Sequence, residues 1–310
     1  MSRSAGGPAA PPCDHALSAA HYADHAGTHR VEVLENVPLA RDTYRLRFAC
    51  PPLAAAITPG QFVMVRLADR DDPLLGRPFA LYDVVDDSAG VPWAVDIVYL
   101  VVGRMTRRLA ASRPGDALHC WGPLGNGFAA APVEHLVMVA GGIGQTPFLA
   151  LAREALGRRR YGTPARTAGY ARRATLCYGV RTADLVAGAD DFRGAGLELR
   201  VSSDDGSVGA RGLVTDVLRE ILVESRAAEV RIATCGPEPM MHAVAELAAE
   251  AGVPCEASLE TPMACGIGIC FSCVAKLREP GTAADGGEAA WDYKRTCVEG
   301  PVFDATRIAW

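Results

Sequence analysis

Residues 135–156 read HLVMVAGGIGQTPFLALAREAL, an apolar run followed by a glycine-rich turn and an apolar segment that Pro147 opens. The short run HLVMVA, bounded by glycine, favours a buried β-strand. Proline is well tolerated in the first turn of a helix, so a helix is expected after it. Glycines 141, 142 and 144 permit a sharp strand-to-helix turn whose backbone N–H groups suit a phosphate. The alternative that this turn binds no ligand remains, because the spacing is not the full G-x-G-x-x-G.

The same alternation of strand and helix continues downstream to about residue 255. Apolar runs TLCYGV, LELRVSS and EVRIATCG alternate with the helical patterns GLVTDVLREIL and PEPMMHAVAELAAEAG. This order predicts a doubly wound parallel sheet over residues 133–255. A second turn, TCGPEPMM at 234–241, follows a later strand, and two such turns at one crevice form a dinucleotide site. Cys235 is then expected beside the nicotinamide ring, although a half-buried structural cysteine fits equally well.

Upstream of the sheet, residues 30–132 carry short alternating runs such as YRLRF and QFVMVRL between Pro, Gly and Asp turns. They predict a small antiparallel β-barrel. Residues 1–29 are rich in Ala, Pro, Gly and His without apolar periodicity, which predicts a disordered tail. Within the barrel, GRPFALYD at 76–83 offers the Arg77 guanidinium to a pyrophosphate and its aromatic side chains to a ring system. A strand-end charge and core aromatics are the plainer reading of the same residues.

The C-terminal part, residues 256–310, follows neither pattern and holds four of the ten cysteines in a tight cluster. ETPMACGIGICFSC, residues 260–273, gives C-x4-C-x2-C, and 23 residues separate its last cysteine from the fourth. This is the plant-type [2Fe-2S] spacing. Glycine between the ligands allows close backbone approach to a cluster. A zinc site is the alternative, but zinc sites usually pair two C-x2-C knuckles. The predicted ligands are Cys265, Cys270, Cys273 and Cys297.

Composition excludes several classes of protein. The net charge is -5, from 31 Lys and Arg against 36 Asp and Glu, and no basic stripe suggests nucleic acid. The most apolar stretches, 93–103 and 135–144, are far shorter than the ~18 residues of a membrane span. The N-terminal run does not resemble a secretory signal, so a cytoplasmic location is expected. Ten cysteines in such a chain favour metal or redox use over disulfides.

From about Val31 to Phe303 these motifs resemble the ferredoxin–NADP reductase superfamily, and most closely the electron-transfer subunit of NAD-dependent dihydroorotate dehydrogenase. The end of the chain, M-A-C-G-x-G-x-C-x-x-C followed by C-x-x-G-P-V-F, is the strongest match. The matching flavin residues are Arg77, Pro78, Phe79, Ala80 and Leu81 for R-P-x-S-I/L, then Gly103, Met105 and Thr106. The matching nucleotide residues are Gly141, Gly142, Gly144 and Pro147, then Cys235, Gly236, Pro237 and Met240.

The resemblance implies an antiparallel FAD-binding barrel, an NAD-binding sheet and a small [2Fe-2S] domain. It also implies a partner subunit that carries FMN and oxidises dihydroorotate, in a heterotetramer with two copies of each chain. Electrons would pass from the partner's FMN through [2Fe-2S] and FAD to NAD. One departure is Ala80 in place of the usual Ser, which removes a hydroxyl from the flavin turn. The rivals are a reductase subunit of a hydrogenase, oxygenase or ferredoxin-linked complex, and a zinc-bearing module without catalysis.

Two finer expectations concern the nucleotide and the partner. Asp204 and Asp205 near the adenosine ribose predict NAD rather than its 2′-phosphorylated form, whereas Arg181 would favour the phosphate. No base and anion pocket for dihydroorotate is recognisable in the chain, so its oxidation is expected on the partner. The cysteine-rich run carries Ile267 and Ile269, which are expected close to the partner contact.

Overall fold

A computed structural model describes residues 22–68, 72–226, 230–279 and 290–310 of the chain. Most of the predicted N-terminal tail lies outside these residues. Its last part is structured, since a 3-10 helix spans Tyr22–His25 and the first strand begins at Gly27. This strand pairs with the last barrel strand from Gly27 onward, which explains why regular structure begins before residue 30. No helix in the described parts is long and apolar enough to cross a membrane.

The predicted antiparallel barrel is confirmed. It closes in the order β1-β2-β5-β4-β3-β6 around a core of alternating inward side chains such as Val33, Leu46 and Ile97. A short helix α1, Pro51–Ala56, follows β2, and α2, Arg104–Ala110, follows β5. The strands are β1 Gly27–Ala40, β2 Thr43–Ala49, β3 Phe62–Leu67, β4 Arg77–Asp86, β5 Pro92–Leu100 and β6 Ala117–Leu124.

The doubly wound sheet is confirmed as well. Alternate residues of its central strand face opposite layers: Met138 packs with α3 and α4, and Val137 packs with α5 and α6. The strands run in the order β10-β9-β8-β7-β11-β12-β15. The strands are β7 Val133–Gly141, β8 Ala171–Val180, β9 Glu198–Ser203, β10 Ala210–Arg211, β11 Val230–Cys235, β12 Cys255–Ser258 and β15 Val302–Asp304. The helices are α3 Phe148–Ala155, α4 Ala189–Gly194, α5 Val214–Glu224 and α6 Glu238–Glu250.

The C-terminal residues form a two-stranded sheet, β13 Val274–Arg278 with β14 Trp291–Arg295, and then return to the large sheet. Strand β12 pairs in parallel with β11, and β15 adds an antiparallel edge next to β12. The large sheet therefore continues past residue 255, where the sequence predicts its end. The reason is the chain's return at Val302–Asp304, a long-range pairing that leaves no local pattern.

Charged and polar side chains join the barrel to the nucleotide-binding unit. The Tyr82 hydroxyl donates to Asp191 Oδ2 over 2.8 Å. Asp83, which is buried, accepts from Tyr161 over 2.7 Å and pairs with Arg153. Because Tyr82 and Asp83 belong to β4, the strand that begins with the flavin turn, these contacts fix the turn relative to the sheet.

Candidate functional site

A cleft of about 510 Å³ lies between the barrel and the carboxyl end of the sheet. This volume is in the range of small-molecule and cofactor sites. Across the cleft lie Ile143, Pro147 and Cys235 of the two nucleotide turns. On the barrel side it is lined by the predicted flavin residues Arg77, Pro78, Phe79, Ala80, Gly103, Met105 and Thr106.

Leu81 is the predicted flavin residue that the structure places elsewhere. Its side chain is fully buried in the barrel core and does not line the cleft. Leu81 directly follows Ala80, which lines the cleft, and its assignment as a flavin-binding residue stays a prediction.

The two polar groups proposed for the flavin phosphates differ in availability. The Arg77 guanidinium is exposed, donates to the carbonyls of Leu75 and Gly76, and forms no ion pair with any described carboxylate. It is thus free to meet an anion. The Thr106 hydroxyl accepts from the backbone N–H groups of Val102 and Gly103, over 3.0 and 3.1 Å. The Thr106 hydroxyl therefore stabilises its own turn, so Thr106 offers a backbone group rather than a free hydroxyl to a flavin phosphate.

The two nucleotide turns pack directly on each other. A Cβ atom added at Gly144 would lie 2.3 Å from the carbonyl oxygen of Cys235, and one at Gly141 would lie 2.7 Å from Pro237. Contacts so short exclude any side chain, so both glycines are required for the turns to meet. Gly142 has φ +53°, a conformation that favours glycine. The remaining turn residue, Gly236, contacts Gly141 in the same way.

A second cleft adjoins the first and is lined by both nucleotide turns together with Arg181 and Asp204. Asp205 does not line it, because its carboxylate accepts from the backbone and the hydroxyl of Ser207. Arg41 reaches the cleft but pairs with Asp184 over 3.0 Å. Of the two predicted acidic residues, only Asp204 therefore stands where a ribose or its phosphate would lie.

Cys235 closes the inner end of the flavin cleft. Its side chain is buried at the end of β11, and burial raises the pKa of the Cys235 thiol well above its ordinary value. The neighbouring Glu260 stands at the mouth of the cleft, where surrounding protein atoms raise the pKa of its carboxyl by desolvation. A neutral thiol next to an open cleft suits close packing against a planar ring.

The four cluster cysteines come together as two pairs. Cys273 and Cys297 are fully buried next to each other, and their interaction lowers the pKa of Cys273 to about 6 and raises the pKa of Cys297. Cys265 and Cys270 form the outer pair. The hydroxyl of Ser272 lies 3.2 Å from the sulfur of Cys270, and it is the main cause that lowers the pKa of Cys270 to about 6. Two thiolates on each side are what two irons of a [2Fe-2S] cluster need.

The inner pair packs on the back of the flavin cleft. Cys273 and Cys297 share one apolar core with Phe62 and Met64 of β3. Phe62 also lines the flavin cleft, so the cleft borders the apolar core that contains the inner cysteines. A Cβ atom at Gly266 would lie 2.6 Å from Met64, which places the cysteine loop directly against the barrel.

The backbone of the cysteine loop also suits an iron–sulfur cluster. The loop supplies further features that a cluster requires: Gly266 and Gly268 have φ +75° and +84°, and the Ile267 N–H donates to the sulfur of Cys265 over 3.4 Å. Backbone donors to sulfur are a recurring part of iron–sulfur sites.

Three family models match the chain. They are the oxidoreductase FAD-binding domain at residues 30–128, the oxidoreductase NAD-binding domain at 138–246, and the iron-sulfur cluster binding domain of dihydroorotate dehydrogenase B at 260–309.

Characterised relatives carry the name dihydroorotate dehydrogenase B (NAD(+)), electron transfer subunit. The relative from Desulforamulus reducens is 34% identical over 280 residues, which covers 90% of this chain and 97% of the relative. The relative from Geobacillus kaustophilus is 36% identical, with 91% and 98% covered. The chain belongs to this family.

Membership in the dihydroorotate dehydrogenase B electron-transfer family gives the two clefts and the cysteine pairs their cofactors: FAD, NAD and an iron–sulfur cluster. Among solved structures, an NADH-dependent reduced ferredoxin–NADP oxidoreductase matches with 28% identity and a TM-score of 0.74, covering 92% of this chain and 91% of the other. A ferredoxin reductase of carbazole 1,9a-dioxygenase, 22% identical with a TM-score of 0.59, covers 74% of this chain and 67% of its own and shows the same fold.

Sequence reasoning missed several residues of this family member's site. Phe62 and Met263 belong both to the flavin cleft and to the core around the inner cysteines. Glu260 reaches the cleft, and Trp121 contacts the cysteine loop. Glu260 and Met263 lie next to the cysteine run, so their place in the sequence could have indicated them. Phe62 and Trp121 have no such signal, because only the folded barrel brings them there.

Proposed function

We propose that the chain carries electrons between NAD and a partner subunit that contains FMN and oxidises dihydroorotate. The observation that carries the proposal is a shared apolar core: Phe62 lines the flavin cleft and belongs to the same core as the two inner cysteines. Electron transfer between two centres requires proximity, and this shared core provides it.

The proposal assigns a role to each unit. Residues 30–132 hold FAD, 133–255 hold NAD and 256–310 hold [2Fe-2S]. When bound, FAD exchanges two electrons with nicotinamide and single electrons with an iron–sulfur centre. The chain's own residues orient these groups: Arg77 offers its guanidinium to the flavin phosphates, and Cys235 packs at the nicotinamide end. Phe62 and Met263 exclude water from the wall between the cleft and the cysteines.

The relatives are named electron transfer subunits, which implies a catalytic partner. We infer that this partner contains FMN, that the two proteins form a heterotetramer with two copies of each chain, and that the complex lies in the cytoplasm. The exposed side chains of Ile267, Ile269 and Phe271 surround the outer cysteine pair, and exposed apolar groups that cluster in this way mark protein contacts. The outer pair would then face the partner, and the inner pair faces the flavin cleft.

A second function, reduction of ferredoxin or a similar carrier with NADPH, is favoured by the structural match to the ferredoxin–NADP oxidoreductase. The experiment that separates the two uses the purified chain, alone and with an FMN dihydroorotate dehydrogenase subunit. We expect NADH-to-dye activity from the chain alone, and NAD reduction by dihydroorotate only in the complex. Oxidation of dihydroorotate by the chain alone, or failure to bind an FMN subunit together with rapid ferredoxin turnover, would contradict the proposal.

The cluster is tested separately by Cys270→Ser, which removes one outer thiolate. We expect the wild-type chain to contain about two irons and two labile sulfides, as a [2Fe-2S] centre requires. The variant should lose the paramagnetic signal of the reduced centre and retain FAD. Cys255→Ser is the control, since Cys255 is a buried thiol of β12 outside the cysteine loop. Stoichiometric zinc in the wild type would refute the assignment.

A further inference from the structure

Trp121 is a half-buried side chain of β6 and is not among the residues proposed to hold FAD, NAD or the cluster. Its strand position pairs with Thr28 of β1 on one side and with Met64 of β3 on the other. The ring therefore leaves the barrel on the surface against which the cysteine loop packs. It lines a surface pocket there together with Ala23, Ala26 and Ile267.

One end of the indole contacts the cysteine loop. Nε1 donates a hydrogen bond to the backbone carbonyl of Cys265 over 2.9 Å, across 144 positions of sequence. Cys265 belongs to the outer cysteine pair, and its peptide leads into Gly266, which itself presses on Met64. The hydrogen bond thus fixes the start of the loop against the barrel at the first of the four thiols.

The other end of the indole lies over the flavin turn. A Cβ atom at Gly76 would come within 2.6 Å of Trp121 Cη2 and within 3.3 Å of Cζ3. Gly76 immediately precedes Arg77, the residue offered to the flavin phosphates. One rigid ring therefore spans the distance between the flavin turn and a cluster ligand, with a directed hydrogen bond at one end and close packing at the other.

We propose that Trp121 is a positioning residue for electron transfer, which sets the place and the electron density of the Cys265 ligand relative to the flavin turn. The indole N–H draws electron density from the Cys265 carbonyl, and hydrogen bonds around the ligands of an iron–sulfur site stabilise its more negative, reduced form. Loss of the N–H should lower the reduction potential of the cluster. The proposal rests on the assignment of Cys265 as a cluster ligand.

The test is Trp121→Phe in the full chain with FAD and cluster bound. Phenylalanine keeps a ring over Gly76 and removes the donor. If the reduced cluster loses a stabilisation the size of one net hydrogen bond, about 1 kcal/mol, the equilibrium constant for one electron between FAD and the cluster should change by about fivefold. At 59 mV for each tenfold change, this is about 40 mV toward lower potential. The measurement is a redox titration followed by the paramagnetic signal of the reduced cluster.

The matched control is Trp291→Phe. Trp291 is exposed on β14, in the C-terminal unit that also holds the cysteine loop. Its ring contacts Lys276 and Tyr293 rather than the cysteine loop. Its replacement should leave the potential unchanged. A wild-type potential in Trp121→Phe, or an equal shift in both variants, would overturn the proposal.

A second variant covers the case in which Trp121→Phe loses iron. Gly76→Ala would push the indole away from its place at the Cys265 carbonyl and weaken the N–H hydrogen bond, so a shift in the same direction is expected. Iron loss from Trp121→Phe with a wild-type potential in Gly76→Ala would overturn the role. Failure of the underlying assignment gives a different result, because the wild-type chain would then show no [2Fe-2S] signal at all.

Discussion

At the scale of single residues, Arg77 has the clearest test. Its guanidinium is exposed in the flavin cleft and bonds only to carbonyls of its own loop. A charge-assisted hydrogen bond contributes about 1.5–3 kcal/mol, so Arg77→Ala should weaken FAD binding by roughly 10- to 100-fold. The cluster spectrum should not change. Arg113→Ala, on the exposed turn before β6, is the control for FAD titration, and equal FAD affinity in both variants would exclude Arg77 from the phosphate site.

The choice of nucleotide also depends on single side chains. Asp204 lines the second cleft, and its charge would repel a 2′-phosphate. Asp204→Asn should raise the catalytic efficiency with NADPH relative to NADH by about fivefold. The reason is that two unit charges about 4 Å apart in water interact by about 1 kcal/mol. Asp205→Asn should change the ratio less, since Asp205 is bound within its own turn. A wild-type chain with a tenfold preference for NADPH would show that Arg181 dominates.

Single residues also show where sequence reasoning ends. The cysteines, the glycines of both turns and Arg77 could be identified because their chemistry requires particular residue types at fixed spacing. The motif could not show that the Leu81 side chain belongs to the barrel core, because burial depends on the folded strand. Trp121 and Phe62 were missed because their roles depend on contacts across more than 100 residues of chain. No local pattern distinguishes them from ordinary strand residues.

At the scale of elements, β4 joins the two halves through a buried ion pair. Asp83 is buried, burial raises the pKa of its carboxyl, and Arg153 of α3 is its cationic partner. Arg153→Met removes the ion-pair partner of that carboxylate and leaves only weaker attraction from cations such as Arg159, which should cost about 3 kcal/mol of stability. The measurement is the midpoint of urea unfolding at fixed FAD concentration. Arg193→Met breaks an exposed pair with Asp190 and should cost less than about 0.5 kcal/mol, so equal losses would refute the prediction.

The amino end of the central strand β7 carries a buried histidine. His135 of β7 lies 2.8 Å from the Thr175 hydroxyl, and burial lowers the pKa of His135 to about 4. In the unfolded chain the pKa is about 6.5, so the unfolded state binds more protons between these values. The contribution of His135 is complete above pH 6.5 and decreases as the pH falls towards 4. His135→Gln should flatten this part of the stability curve, whereas the exposed His242→Gln should keep its slope, as unfolding midpoints from pH 5 to 8 would show.

Element order was predictable from periodicity, since alternating runs and strand–helix alternation have distinct periods. The return of β15 to the large sheet was not. Its three residues, Val302–Asp304, pair with Glu256, Ala257 and Ser258 of β12, far back in the chain. This pairing brings Pro301 to the flavin cleft just after the fourth cysteine. The same connection thus closes the cleft and ties the cysteine loop to the sheet.

At the scale of the whole molecule, the two cysteine pairs suggest a direction of electron transfer through the chain. The inner pair is buried against the flavin cleft, and the outer pair opens to solvent beside Ile269 and Phe271, which are 74% and 62% exposed. Contiguous exposed apolar side chains on a folded chain indicate a contact surface. If the FMN subunit binds there, electrons enter at the outer pair and leave towards FAD through the inner pair.

Ile269→Ser tests this direction. The change should lower NAD reduction by dihydroorotate in the complex, because it weakens docking beside the outer cysteines, while NADH-to-dye activity of the chain alone should not change. Val223→Ser is the matched control, since Val223 is 87% exposed on α5, in the nucleotide-binding unit. Binding of the FMN subunit should weaken only in the first variant. If both variants bind and turn over like the wild type, the partner docks elsewhere and the outer pair does not receive its electrons.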